Sequence, residues 1–347
     1  LIICLFAHFG VNTHQLLALI FYRKETFMKK LLMLAILIPF AITLTFSQAA
    51  TKWPTKPVQV IVPAGAGGDT DFNARTMAKY FEKITGKPMV ITNMNGGGGS
   101  IATSTVKNAT PDGTVMLFGH IGQVIVNEVA GLIDYSYADF DICCIPAIDK
   151  GSVLVTSKKS GFKSVADVLA KAKANPGTVI YGTEMGGLTH LQGLIFSKMA
   201  GIQLKIVDVG SASDKVTSLL GGRIDLASIT YGTVKDYQKT GELVILAQFN
   251  ESRNELLGSI PTFKEQGVPF VMEKPYVMAF PKGTDPAIVA KMANIMKQIT
   301  EIPEYANLLK DTYNQPISYL GTEDAIALLK SIRTDLMQYR DLLKARK

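Results

Sequence analysis

The sequence predicts an α/β protein of two lobes. Three observations carry this. Apolar, β-branched runs alternate with helix-period segments along most of the chain, glycine-rich turns recur where a strand gives way to a helix, and no low-complexity linker separates the halves. Without a linker, the chain has to cross between lobes on strands, once near 146–156 and back near 273–281.

Each element has its own signal. Val58–Val62 reads as a buried strand. Ala74, Met77, Ala78 and Phe81 then recur at i, i+3, i+4, i+7, a helix face that ends near Gly86. Met89–Thr92 is a second strand, a short helix starts near Ile101, and Thr114–Phe118 is a third strand, so the opening βαβαβ argues for a parallel sheet. Beyond Gly151 come strands at Val153–Thr156, Val179–Tyr181, Lys205–Val209, Asp225–Ile229 and Leu243–Gln248. Between them lie helices at 164–175, 189–200, 213–221 and 233–240, the first with Ser164 and Asp167 spaced for reciprocal capping. Asp285 is an N-cap with Pro286 at the first helical position, and a last amphipathic helix runs from Thr322 to the end. Cys143 and Cys144 read as two small buried residues on a strand rather than a strained vicinal disulfide.

The start of the chain reads separately. Met28-Lys29-Lys30, the apolar run Leu31–Phe46 and Ser47-Gln48-Ala49-Ala50 have the pattern of a secretory signal peptide cleaved after Ala49. The run falls short of the ~20 residues needed to span a bilayer. Residues 1–27 are then a translated upstream extension and 28–49 the signal peptide. Removing 1–49 takes away Arg23, Lys24, Lys29, Lys30 and Glu25, so the formal charge falls from +7 to +4. No dense basic block follows, which argues against nucleic-acid binding. The expected product is an exported, soluble, monomeric protein.

Two glycine-rich turns follow strands and precede helices: Pro63 to Asp71, containing Gly65, Gly67 and Gly68, and Asn95 to Ser100. A third, Gly182 to His190, sits in the second lobe. Such turns present backbone N–H groups and the positive end of a helix dipole to an anion. Nucleotide motifs fail on spacing: Thr70 and Ile101 stand where a dinucleotide fingerprint needs glycine, and Gly86-Lys87 is followed by Pro88. After cleavage only His120 and His190 remain, with no HExxH, CxxC or GxSxG, so catalysis and a metal or other cofactor are not expected. His120 ends the third strand, where either a cleft role or a structural hydrogen bond fits. His190 reads as a helix-start donor. Asp71 is placed to cap the following helix, and Arg75 to pair with Asp71 or another nearby carboxylate.

Several ordered segments resemble the substrate-binding proteins of tripartite tricarboxylate transporters, the Bug receptors. They are Pro63-Ala64 through Gly67-Gly68, Asp71 and Ala74-Arg75; Asn93 to Ser100; Pro111-Asp112-Gly113-Thr114-Val115-Met116-Leu117; His190-Leu191; Leu219 to Asp225; Pro261 to Gly267; and Pro281 to Pro286. The resemblance covers 54–347. It implies a type II periplasmic-binding-protein fold, lobe 1 formed by 50–152 and 273–347 and lobe 2 by 153–272. It also implies a periplasmic receptor, not an enzyme, that closes on a small carboxylate (a di- or tricarboxylate, amino acid or aromatic acid) and hands it to membrane permease subunits. A sensor or adaptor of the same fold, or an α/β enzyme acting on carboxylated molecules, are the alternatives.

The ligand-binding residues implied are Ala64, Gly67, Gly68, Asp69, Asp71, His120, Thr183, Gly187, Thr189, His190, Ser211 and Asp214. Ala64 replaces the usual aromatic, Tyr276 stands where tryptophan is common, and Asp69 adds a charge. The cleft is expected to bind through helix N-termini without burying lysine or arginine, with Gly67 and Gly68 N–H groups facing the carboxylate. Asp69 is expected to face solvent or to meet a ligand amine.

Overall fold

Strand β1 (Val58–Val62) pairs in parallel with β2 (Met89–Asn93) on one side and β3 (Val115–His120) on the other. These coordinates, a computed structural model, describe Tyr22 and residues 52–344. Apart from Tyr22, the expected upstream extension and signal peptide lie outside the described residues. The first sheet is mixed rather than wholly parallel. Its order is β2-β1-β3-β11-β4, and β11 (Lys274–Pro281) runs antiparallel to both β3 and β4 (Phe140–Cys144). The reason is topological: β11 is the strand on which the chain returns, so it enters the sheet from the crossing end.

All eight residues of β11 are buried, as a strand covered on both faces requires. Alternation divides the packing. Tyr276, Met278 and Phe280 join Met116, Phe118 and helix residues such as Phe81 and Met296 on one face, while Val277 and Ala279 join Ile61 and Leu117 on the other.

The second sheet has the order β10-β6-β9-β7-β8, built from β6 (Ser152–Ser157), β7 (Ile180–Thr183), β8 (Lys205–Asp208), β9 (Leu226–Thr230) and β10 (Leu243–Gln248). Here β7 is parallel to β8 and β9, and β6 antiparallel to β9 and β10. The chain passes between sheets through 145–151 and returns through 249–273. A two-residue strand, β5 (Ile148–Asp149), pairs with Lys274 and Pro275 and ties the two crossings together.

Helices form close to where the sequence places them. They are α1 (Asp69–Thr85), α2 (Ser100–Lys107), α3 (Val165–Ala174), α4 (Leu188–Ala200), α5 (Ala212–Gly221), α6 (Tyr231–Lys239), α7 (Pro286–Thr300), α8 (Pro303–Tyr313) and α9 (Thr322–Met337). Ser164 and Asp167 form the expected capping box, and the Asp285 side chain accepts from the Ala287 N–H at 2.8 Å. The helix that starts at Thr322 stops at Met337, and a separate short helix follows at Arg340–Lys344. The sequence reading missed α8 and a widened helical turn at Gly122–Val126. Cys143 and Cys144 are free thiols, fully buried on β4.

Candidate functional site

A cavity of about 520 Å³ lies between the two sheets, at the ends of β1, β3, β7 and β9. That is the size of a small-molecule site. The first lobe contributes the turn after β1, the glycine tract, His120, Gln123 and Lys274. The second contributes the turn into α4, the segment Gly210–Lys215 and Ser228–Thr230.

Glycines sit where the lobes come closest. A Cβ on Gly65 would lie 3.3 Å from Ser211 Cβ, and one on Gly98, whose φ is +63°, would lie 3.2 Å from the Gly187 nitrogen. Part of the glycine tract therefore serves approach of one lobe to the other, not of backbone to ligand.

Of the residues expected at the site, Ala64, Gly68, Asp69, His120, Thr189, Ser211 and Asp214 line the cavity. Gly67, Asp71, Thr183, Gly187 and His190 do not line it, and each is engaged elsewhere. The Gly67 N–H donates to Asp71 Oδ2 at 3.0 Å, so it is not free for a carboxylate. Asp71 also accepts from Arg75 Nε at 2.9 Å and Asn93 Nδ2 at 3.0 Å. Burial pushes its carboxyl up, but the hydrogen bonds from Arg75, Gly67 and Asn93 outweigh this and hold it below the usual range. The Thr183 hydroxyl backs Thr189 at 2.8 Å. Gly187 precedes α4 and donates to the Glu184 carbonyl at 3.1 Å. The buried His190 ring accepts from the Gly186 N–H at 3.2 Å through Nδ1. Asp214 accepts from the Ser211 N–H at 2.9 Å and from its hydroxyl at 2.6 Å, closing a capping box at the start of α5.

The solvent-facing reading of Asp69 is overturned. It is buried, not solvent-facing, and its Oδ2 accepts from Lys274 and from the Tyr276 hydroxyl. Burial alone would raise its pKa; the Lys274 ammonium and these two hydrogen bonds reverse the sign and hold it well below the usual carboxylate range. Lys274 also meets Asp149 Oδ2 at 2.8 Å and donates to Thr230 Oγ1 at 3.0 Å. Asp149 in turn accepts from the Gly151 N–H at 2.6 Å and from the Thr230 hydroxyl at 2.8 Å. Burial opposes the charge on Lys274, but Asp149 and Asp69 overcome it and raise its pKa. One cation thus joins a crossing segment to the ends of α1 and β9.

The expectation of a cleft without buried lysine also fails, because Lys215 and Lys274 are 4% and 7% exposed and both line the cavity. The signals were faint. Lys215 sits four residues before Leu219 on the apolar face of α5, and Lys274 opens an otherwise apolar strand.

His120 is half-buried on the cavity wall. Its Nδ1 accepts from the Gly122 N–H at 3.0 Å, and its Nε2 lies 3.1 Å from Gln123 Nε2. Burial, then the Lys274 charge, push its pKa down to about 3, so the ring is neutral near pH 7. Among the described residues, no group of His, Cys, Asp and Glu is arranged to hold a metal ion.

Two α/β sheets joined by paired crossings, with a ligand-sized cavity between them, define a bilobal binding protein. The comparisons narrow the class. Residues 73–345 match the model of the tripartite tricarboxylate transporter family receptor, and the chain belongs to this family of solute-binding receptors. BugT of Bordetella pertussis is 30% identical over 246 residues, covering 70% of this chain and 75% of that protein. A solved R. palustris protein with adipate superposes with a TM-score of 0.77 at 24% identity, covering 84% of this chain and 98% of its own. MatC from Rhodopseudomonas palustris with bound malate gives 0.73 at 21% identity, covering 84% and 100%. Both structures share the fold.

Proposed function

We propose that the chain is an exported periplasmic receptor that captures a small carboxylate and delivers it to the membrane subunits of a tripartite transporter. The observation that carries this is the cavity itself, where the turn at Gly68 leading into α1 faces the starts of α4 and α5 from the other lobe. Helix N-termini converging on one space favour an anion. Family membership and relatives solved with adipate and malate support the same reading. In it, Ala64, Gly68, His120, Thr189 and Ser211 contact the ligand, while lobe 1 (50–152 and 273–347) and lobe 2 (153–272) close about the two crossings.

A thermal-shift screen with acetate, malate, adipate, citrate and aspartate tests it. A binder present at about 100 times its Kd adds ~2.7 kcal/mol of stability. A positive result is a saturable rise in Tm with at least one member, confirmed by calorimetry. No response to any of the five would overturn the carboxylate reading.

A further inference from the structure

The second-lobe wall of the cavity holds two buried polar side chains that the fold leaves short of partners. Lys215, near the start of α5, donates from Nζ to Thr189 Oγ1 at 2.8 Å. An ammonium has three donors, and among the described residues no carboxylate closes onto this one at ion-pair distance. Gln192 is 2% exposed, and its Nε2 has no hydrogen-bond partner. Thr189 and Gln192 are three apart on α4, hence neighbours on one helix face, so Lys215 reaches the same face of α4 that carries Gln192. Both residues line the cavity.

Leaving a buried amide unsatisfied is costly, and an underpartnered buried charge costs more. In a binding cleft the missing partner is the ligand. Resting on the receptor reading above, we propose that Lys215 and Gln192 together hold one carboxylate of the ligand against the second lobe, with Lys215 selecting for the anionic group.

The charges around Lys215 agree with this. Glu184 from the β7–α4 turn, Asp208 at the end of β8, Asp69 at the start of α1 and Lys274 on β11 all act on it, while Asp214 is occupied by Ser211 and His120 is neutral. Burial dominates and lowers its pKa to about 8, Glu184 and Asp69 pulling the other way and Lys274 adding to the depression. At pH 7 the ammonium is intact. Above pH 8 the free protein loses the proton that the ligand carboxylate needs, so affinity falls.

The test is calorimetric titration of malate, adipate and citrate into the native protein and into Lys215→Met, Lys215→Arg and Gln192→Leu, with Tm measured for each. Native affinity should weaken by about 30-fold between pH 7 and 9.5, the titration of a group near 8. Lys215→Met should bind at least about tenfold more weakly at pH 7 and lose the pH dependence, Lys215→Arg should flatten the profile, and Gln192→Leu should weaken binding at every pH. Native binding with Lys215→Met within twofold, or with the native pH profile kept in Lys215→Arg, overturns the assignment and leaves the receptor reading standing. A native protein that binds none of the three, nor acetate or aspartate, overturns both.

Discussion

Lys274 is the residue on which the charge balance of the crossings depends. Truncating it in Lys274→Met leaves Asp69 and Asp149 buried with no cation between them. Breaking a buried pair from one side costs about 3–5 kcal/mol, which urea denaturation of the variant would read directly. The pH dependence has a definite sign. Asp69 has a folded pKa below its ordinary 3.8, so its contribution is complete above pH 4 and is lost as pH falls through the lower folded value. The native protein should therefore lose Tm below pH 4 more steeply than a Lys274→Met, Asp69→Asn double variant. None of this could be read from the chain alone. Asp69 and Lys274 lie far apart in sequence, and a charged residue carries no local mark of being buried. The capping pair Ser164–Asp167 and the Asp71–Arg75 pair were legible, because their partners sit three and four residues apart.

At the scale of the element, the turn from β1 into α1 makes the clearest case. Gly68 has φ −82° and ψ 175°, an extended conformation open to any residue, and a Cβ there would meet only the Gly65 carbonyl oxygen at 3.6 Å. Gly68→Val should keep native stability within about 1 kcal/mol and still lose ligand, because the new methyl groups enter the cavity mouth. A variant with native Tm and native affinity for a carboxylate would remove this turn from the site. Most strands announced themselves by β-branched runs, and β10 matches its expected span, Leu243–Gln248. Helix α8 was missed because Pro303 and the polar residues after it blur the apolar period. The antiparallel entry of β11 was missed because strand direction follows from the path of the whole chain, not from the composition of Lys274–Pro281.

For the whole molecule, the lobes also meet outside the cavity. A Cβ on Gly232, at the start of α6, would lie 2.6 Å from Tyr313 Cα at the end of α8, a backbone atom that cannot turn away. Gly232→Ala should wedge the lobes apart. Small-angle scattering would report a larger radius of gyration, and ligand affinity would fall by the drop in closed population, about tenfold if that population falls tenfold. An unchanged radius and Kd would show that α6 and α8 do not limit closure. The paired thiols have a separate consequence. Reaction requires the thiolate, and burial raises the pKa of both Cys143 and Cys144, which sit on β4 with no exposed surface. A reagent such as a maleimide can reach them only when the packing around β4, at the edge of the first sheet, gives way. Its rate of labelling is thus a stopwatch for loosening of that edge, set apart from the opening and shutting of the cleft, and it separates in one experiment a ligand that merely shuts the lobes from one that also steadies the first sheet.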